Sequence, residues 1–337
     1  RYPIILKTSK KDKEEDLKPV NSMLPIWKKP KNEIKDEELN EFYKQKYFDF
    51  SDPLESIFIN VEGALTYTAL LYIPSKVPHN IYSEKYEKGL ALYTKNVFIM
   101  EKCKELLPDY LRFCKGLVDT SDLPLNISRE TLQHNSKLHQ IAGNVEKKII
   151  SRLEKMQKDE PEKYLSFFQN FGVHIKFGIY DQFGVKKDLL KNLLMYQTTN
   201  KEEMTSLKQY VENMQEKQEY IYYASGKSKQ HVLSMPQMDA LKSLGYDVLV
   251  LTEEVDEFAI SILEEFDGKK FQSINQGELD VLDQEESKEV EELTKSKTDF
   301  LDKAQEILQG KVDKVVFSKR LRDSAVCLVS GEGVSFE

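Results

Sequence analysis

Val248-Leu249-Val250-Leu251 lies just beyond Gly245 and reads as a strand buried on both faces, because four consecutive apolar residues leave no polar side to face water. Upstream, Met235–Leu244 has the spacing of a helix, with Pro236 near its start and Gly245 closing it. Leu193–Thr198 and Tyr220–Ala224 read as strands. Downstream, a helix is expected from Val255 to Phe266, then Gly268 and a strand from Phe271 to Ile274. Strands alternating with helices in this way predict a small α/β/α layer.

Further upstream the pattern changes. Ser56–Val61 and Ala64–Ile73 suggest a hairpin around Glu62-Gly63, with Pro74 as its stop. A second β pair is expected at Leu90–Tyr93 and Val97–Met100, with helical character resuming at Glu101. Asp36 suits the cap of a helix through Glu41, Phe42 and Tyr43. Leu138, Ile141, Val145, Ile149, Leu153 and Met156 recur every three or four residues and predict a long amphipathic helix, its start near Asn126 or Ser128. Pro161 fits the first turn of the next helix, whose Phe167, Phe168, Phe171 and Phe177 read as core. Residues 278–292 carry eight acidic side chains against Lys288 and read as a solvated linker. Beyond it a helix, Leu293–Leu308, and two strands, Val312–Ser318 and Ala325–Val329, are expected. The fold class is therefore α/β: a larger α/β/α unit (1–130), a helical connector (131–192), a smaller α/β/α unit (193–277), the acidic linker (278–292) and a truncated α/β piece (293–337).

Composition narrows the function. The 337 residues carry a formal charge of −8, which argues against a chain whose main task is neutralising nucleic-acid phosphates. No apolar run approaches the ~20 residues needed to span a bilayer. Three cysteines without CxxC spacing give neither a disulfide framework nor a zinc site, so no metal is expected and the compartment reads as reducing and cytoplasmic.

The stretch Ser121-Asp122-Leu123-Pro124-Leu125-Asn126-Ile127-Ser128-Arg129-Glu130-Thr131-Leu132-Gln133 carries the most chemistry. If a helix begins at Asn126 or Ser128, Arg129 lies in its first turn and Gln133 one turn later on the same face. Unpaired N–H groups, the positive end of the helix dipole and a guanidinium then make a site for phosphate or carboxylate. An arginine on a loop can also stabilise charge in phosphoryl transfer. The alternative is that Arg129 pairs with Glu130 or Asp122 and only tidies the loop.

Asp122-Leu123-Pro124-Leu125-Asn126, Ser128-Arg129-Glu130 and Leu132-Gln133 closely resemble the signature of the heat-shock protein 90 chaperone family. The order of further motifs agrees: Phe42-Tyr43-Lys44, Asp52-Pro53-Leu54, Val61-Glu62-Gly63, Tyr72-Ile73-Pro74, Val97-Phe98-Ile99, Lys115-Gly116-Leu117-Val118-Asp119, Ile221-Tyr222-Tyr223 and Phe266-Asp267-Gly268-Lys269. Val315-Val316-Phe317-Ser318 resembles the opening of the family's C-terminal domain. The resemblance covers nearly the whole chain and is nearest to the bacterial form. It implies a middle domain, 1–277, and the start of a C-terminal domain. The N-terminal ATP-binding domain would precede Arg1, and the dimerising helices would follow Glu337.

By position, the resemblance makes Arg129 the catalytic-loop arginine that reaches the γ-phosphate of ATP, with Asn126 and Gln133 as polar partners in that loop. Phe98 becomes an aromatic that supports the loop at the interface with the N-terminal domain. ATP with magnesium is implied for the parent chain, held mainly by the N-terminal domain, and no cofactor is expected in this stretch alone. The intact parent would be an ATPase and a homodimer; this stretch alone would hydrolyse essentially no ATP. The implied partners are the N-terminal domain and unfolded or partly folded client proteins, with no nucleic acid and no membrane. The competing reading is an ATP-independent interaction scaffold.

Three residues bear on client binding. Trp27, among Lys and Pro, is read either as an exposed contact ring or as the cap of a satellite core. Helical spacing turns Glu257 and Phe258 partly away from the stripe of Val255, Ala259 and Ile262; Phe258 is either core or part of a client-holding surface, where the bacterial family often has Trp. Ala224-Ser225-Gly226-Lys227-Ser228 ends like a phosphate loop, but Ile221 stands where the first glycine is needed. His134 and His139 lack the HExxH spacing of a zinc protease, and no G-x-S-x-G elbow occurs.

Overall fold

The computed structural model describes residue 4 and residues 24–124, 132–133, 135–276, 284–308, 310–318, 321 and 324–330, with side chains in the helix 284–296 described from Val290 onward. The chain forms two compact units, Arg1–His174 and Ile175–Glu337.

The first unit is built on a five-stranded sheet of order β1-β2-β5-β3-β4: β1 Glu55–Val61, β2 Tyr67–Ile73, β3 Leu90–Thr94, β4 Val97–Cys103 and β5 Lys115–Thr120. β1 and β2 pair antiparallel from Glu55↔Ile73 to Val61↔Tyr67, so the turn of the predicted hairpin occupies residues 62–66. β2 is buried along its whole length, as a strand covered on both faces must be. β3 is parallel to β5 and antiparallel to β4. β4 runs on to Cys103, which pairs with Leu90, so the helix expected from Glu101 is absent; the length of the partner strand, not local propensity, sets its end. Gly116 holds φ at +151° where β5 crosses β2, and a Cβ there would collide with the Leu70 carbonyl.

Helix α1, Asp36–Tyr47, lays Leu39 and Tyr43 on this sheet. Asp36 is its first helical residue rather than its cap, a place where a carboxylate still complements the helix dipole. Helix α2 runs Ser136–Asp159, and all six stripe residues named above are buried. At ~1.5–3 kcal/mol per buried side chain, that stripe is the main reason the helix docks. Its start differs from the expectation: Asn135 is the N-cap, its side chain accepting from Leu138 N–H at 3.0 Å. The caps expected at Asn126 and Ser128 lie outside the described residues. Helix α3, Pro161–Tyr180, buries Phe167, Phe168 and Phe171, with Phe113 stacked on Phe171 at 4.4 Å, whereas Phe177 is partly exposed.

The second unit holds a six-stranded sheet of order β10-β11-β8-β9-β6-β7: β6 Met195–Thr198, β7 Thr205–Ser206, β8 Ile221–Ser225, β9 Leu249–Leu251, β10 Glu265–Phe266 and β11 Lys269–Ser273. β8, β9 and β11 are parallel, and helical crossovers join them. One helix, α4 Asp239–Leu244, follows a 3-10 turn at Pro236–Met238; another, α5 Glu254–Leu263, links β9 to β10. Tyr222, Val232, Leu241, Val248, Val250 and Ile274 form the core of this layer. The α/β reading therefore holds in both units.

The acidic run is helical over Gln284–Ser296, and a second helix covers Thr298–Ile307, where one helix from Leu293 was expected. Glutamate is a good helix former, so charge alone does not exclude a helix. The two C-terminal strands are not formed among the described residues. Instead the segment 324–330 is held on the second unit through its backbone: Ser324 N–H donates to Asp239 (3.0 Å), the Leu328 carbonyl accepts from Gln237 (2.6 Å), and Ser330 N–H donates to the Asn275 carbonyl (3.2 Å) beside a parallel bridge from Gln276 to Ser330.

Candidate functional site

The chain between Pro124 and Leu132, which contains Asn126 and Arg129, lies outside the described residues, but both of its anchors are defined. On the entry side, β5 delivers Thr120 and Asp122. The Thr120 hydroxyl donates to the Thr66 carbonyl (2.9 Å), and Thr66 N–H donates to the Asp122 carboxylate (2.7 Å). Asp122 N–H closes back on the Thr120 hydroxyl (3.1 Å), and Leu123 is buried. On the exit side Leu132 is buried, and its carbonyl accepts from Asn135 N–H at 3.1 Å. Gln133 is exposed; its carbonyl is 2.8 Å from His139 Nε2, which donates in the matching tautomer. Lys137 in the first turn of α2 lies 3.8 Å from Asp122, a long surface ion pair.

A row of aromatic rings leads to the same place. Phe98 on β4 is 54% exposed and meets Tyr93 edge-on at 5.5 Å. Tyr93 contacts Trp27 at 5.1 Å, and the Trp27 indole N–H donates to Asp119 at 3.1 Å. Asp119 is buried next to Thr120; its other oxygen accepts from Asn96 N–H (3.2 Å), and Lys28 lies 3.4 Å away. Lys95 and Asn96 form the tight β3–β4 turn with positive φ, and Lys95 N–H donates to the Thr120 carbonyl (3.2 Å). One buried carboxylate thus joins the hairpin that carries Phe98 to the start of the loop. Trp27 is only 9% exposed, which favours the satellite-core reading over the exposed contact ring: its contacts make it part of the core under α1. Asp119, Thr66 and Asn96 were not picked out from the sequence; their one local signal was Asp119 ending the Lys115–Asp119 motif.

In the second unit Phe258 is 54% exposed on α5 and packs against Tyr180 at 5.3 Å. Glu257, one residue earlier, accepts a hydrogen bond from the Ser225 hydroxyl. Asp256 on the buried side of α5 accepts from Thr252 and Glu253 N–H and pairs with buried Lys176 at 2.5 Å, which fixes how the helix presents its outer face.

Among the described residues, local structure accounts for the other motifs. Ser228 caps the short helix Lys229–Leu233 by accepting from His231 N–H (3.1 Å), and Lys229 is engaged by Glu202 (3.0 Å), so this stretch is a helix cap and not a phosphate loop. Burial and a bond to Glu105 push the Cys103 thiol up to about 12, and burial raises Cys114 further, so neither is a ready nucleophile. Among the described residues no group of three or more His, Cys, Asp or Glu side chains is placed to hold a metal ion, and no helix is long and apolar enough to cross a membrane.

Comparison with known proteins places these features. The family described as Hsp90 protein matches residues 6–335. The chaperone protein HtpG of Clostridium perfringens is 44% identical, and that of Bacillus subtilis 42% identical; each alignment takes in all of this chain and 55% of the relative. The chain thus spans about half the length of those relatives. Among solved structures, the middle domain of a Plasmodium falciparum heat shock protein superposes with a TM-score of 0.68 at 30% identity, covering 75% of this chain and all of that one.

Proposed function

The chain belongs to the Hsp90 family, and from that premise we propose that it works as the middle segment of an ATP-dependent chaperone. Arg129 is delivered to the γ-phosphate of an ATP held by the family's N-terminal domain, with Asn126 and Gln133 beside it. The observation that carries this reading is the double anchoring of the loop. Its entry is held through Asp122 by Thr66 and Thr120, and its exit by buried Leu132 and the Asn135 cap of α2. A guanidinium contributes most to a transition state when its supports are organised beforehand. The mostly solvent-facing Phe98, joined through Tyr93, Trp27 and Asp119 to the same anchor, is suited to receive the partner domain and pass its position to the loop. Phe258 and Glu257 offer a separate surface for unfolded or partly folded clients. Residues 1–277 would form the middle domain and 293–337 the start of the C-terminal one; the intact protein would be a cytoplasmic homodimer using ATP and magnesium.

The test is to add this chain to a separately made N-terminal ATP-binding domain of the family and follow ATP hydrolysis. Stimulation by the wild-type chain should fall on the order of a hundredfold with Arg129→Ala, the scale of losing one charged transition-state contact. Equal stimulation by both chains would refute the role of Arg129, and no stimulation by either would leave the ATP-independent scaffold as the better account.

A further inference from the structure

The face around Phe258 has a chemical bias that the client reading does not specify. Phe177, Tyr180, Phe183 and Phe258 are each at least 40% exposed, a concentration of aromatic surface typical of a contact site. Gln182 and Phe183 both hold positive φ, and Phe183, 94% exposed, is neither glycine nor asparagine. A strained backbone that holds an aromatic ring in water points to a use for that ring. Gly184, at φ +84°, brings this turn against Ile262 of α5, where a Cβ would collide, so the turn is fixed to the helix that carries Phe258.

The charge along α5 and at its ends is predominantly negative. From Glu253 to Asp267 there are seven carboxylates and neither Lys nor Arg. Asp256 is spent on Lys176, and Glu254 and Glu257 also suit the N-terminus of α5. That explanation does not reach Glu264 and Glu265 at the other end, nor Asp181 beside Tyr180. Glu254 lies one turn before Phe258 on the same helical face. Of the cations near this face, Lys187 donates to the Ile262 carbonyl (3.1 Å) with Glu264 at 4.0 Å, Lys191 pairs with Asp188 (2.8 Å), and Lys186 follows Phe183 by three residues, so the carboxylates outnumber them.

We infer that this face selects unfolded segments in which apolar or aromatic residues are flanked by Lys or Arg, and discriminates against the same segments flanked by Asp or Glu. The inference rests on the client reading of Phe258 and adds a charge rule to it. Acidic rims attract basic partners and repel acidic ones more than they add to affinity, so the rule concerns choice between clients.

The test uses three labelled unfolded peptides with one common apolar centre, flanked by lysines, glutamines or glutamates, and reads binding to the whole chain by fluorescence anisotropy. The lysine-flanked peptide should bind about fivefold or more tightly than the glutamate-flanked one, the scale set by a few exposed charges. The gap should close at high salt and in Glu254→Gln/Glu264→Gln, while Phe258→Ala weakens all three peptides. If the three bind equally yet Phe258→Ala still weakens them, the charge rule is wrong and the client surface stands. If Phe258→Ala changes none of them, the client reading fails and takes the rule with it. If the face instead mediates association of two copies, sedimentation will show a dimer that Phe258→Ala dissolves, and the inference is overturned. Circular dichroism of each variant separates these results from misfolding.

Discussion

Asp119→Asn tests whether one buried carboxylate links the Phe98 hairpin to the loop anchor. Asp119 is 1% exposed and accepts from the Trp27 indole and the Asn96 amide while facing Lys28. Asparagine has nearly the same shape but keeps one acceptor oxygen; its amide nitrogen must turn toward a donor. Losing one charge-assisted bond of ~1.5–3 kcal/mol is the main cost. The half-exposed Lys28 contact adds at most ~1 kcal/mol. The first unit should therefore lose about 2–3 kcal/mol. Trp27 is the sole tryptophan and lies inside this network, so its emission reports on that unit alone. With a urea slope of ~1–3 kcal/mol/M, the midpoint followed at Trp27 should drop by roughly 1 M. An unchanged midpoint and an unshifted emission maximum would refute the linkage.

Three further outcomes are expected. Burial, with a smaller contribution from Arg112, lowers the His174 imidazole to about 4, so the folded state binds fewer protons than the unfolded state between that value and ~6.5; the associated stability is complete above ~6.5 and about 3 kcal/mol is lost as pH falls to 4, a slope that His174→Phe should flatten in urea titrations at stepped pH. Gly116→Ala should cost about 3 kcal/mol in the same titrations, because the new Cβ meets the Leu70 carbonyl at a φ that alanine resists. Lys176→Met should destabilise the second unit by ~3–5 kcal/mol by stranding the Asp256 charge, and Lys176→Met/Asp256→Asn, which removes that charge but keeps an acceptor for the Thr252 and Glu253 amides, should recover part of it, as read from hydrogen exchange at α5 amides.

Periodic features were legible from the sequence alone. The α2 stripe and Val248–Leu251 bury as their spacing demands, because a helix face or a covered strand is decided within a few residues. Trp27 was open to two readings because its burial depends on Asp119, 92 residues away, and on the β3–β4 hairpin. The end of β4 was misplaced for a similar reason: Leu90, its partner, fixes it. Asn135 did carry a local cap signal just before the stripe, but Asn126 and Ser128 offered the same chemistry a few residues earlier. Arg129 belongs to a stretch with no periodicity, so spacing suggested an anion site and only the resemblance gave it a nucleotide.

The grip on residues 324–330 falls mainly on peptide groups, the Leu328 carbonyl and the Ser324 and Ser330 amides, with a long contact from the Ser330 hydroxyl to the Asn275 carbonyl (3.5 Å). Such a clasp is indifferent to spelling but strict about counting. Ala325, Val326 or Val329 can be exchanged for other side chains without touching those bonds, whereas deleting any single residue between Ser324 and Ser330 would put every later donor and acceptor out of step. Drift in this segment should therefore alter letters freely and leave its length alone.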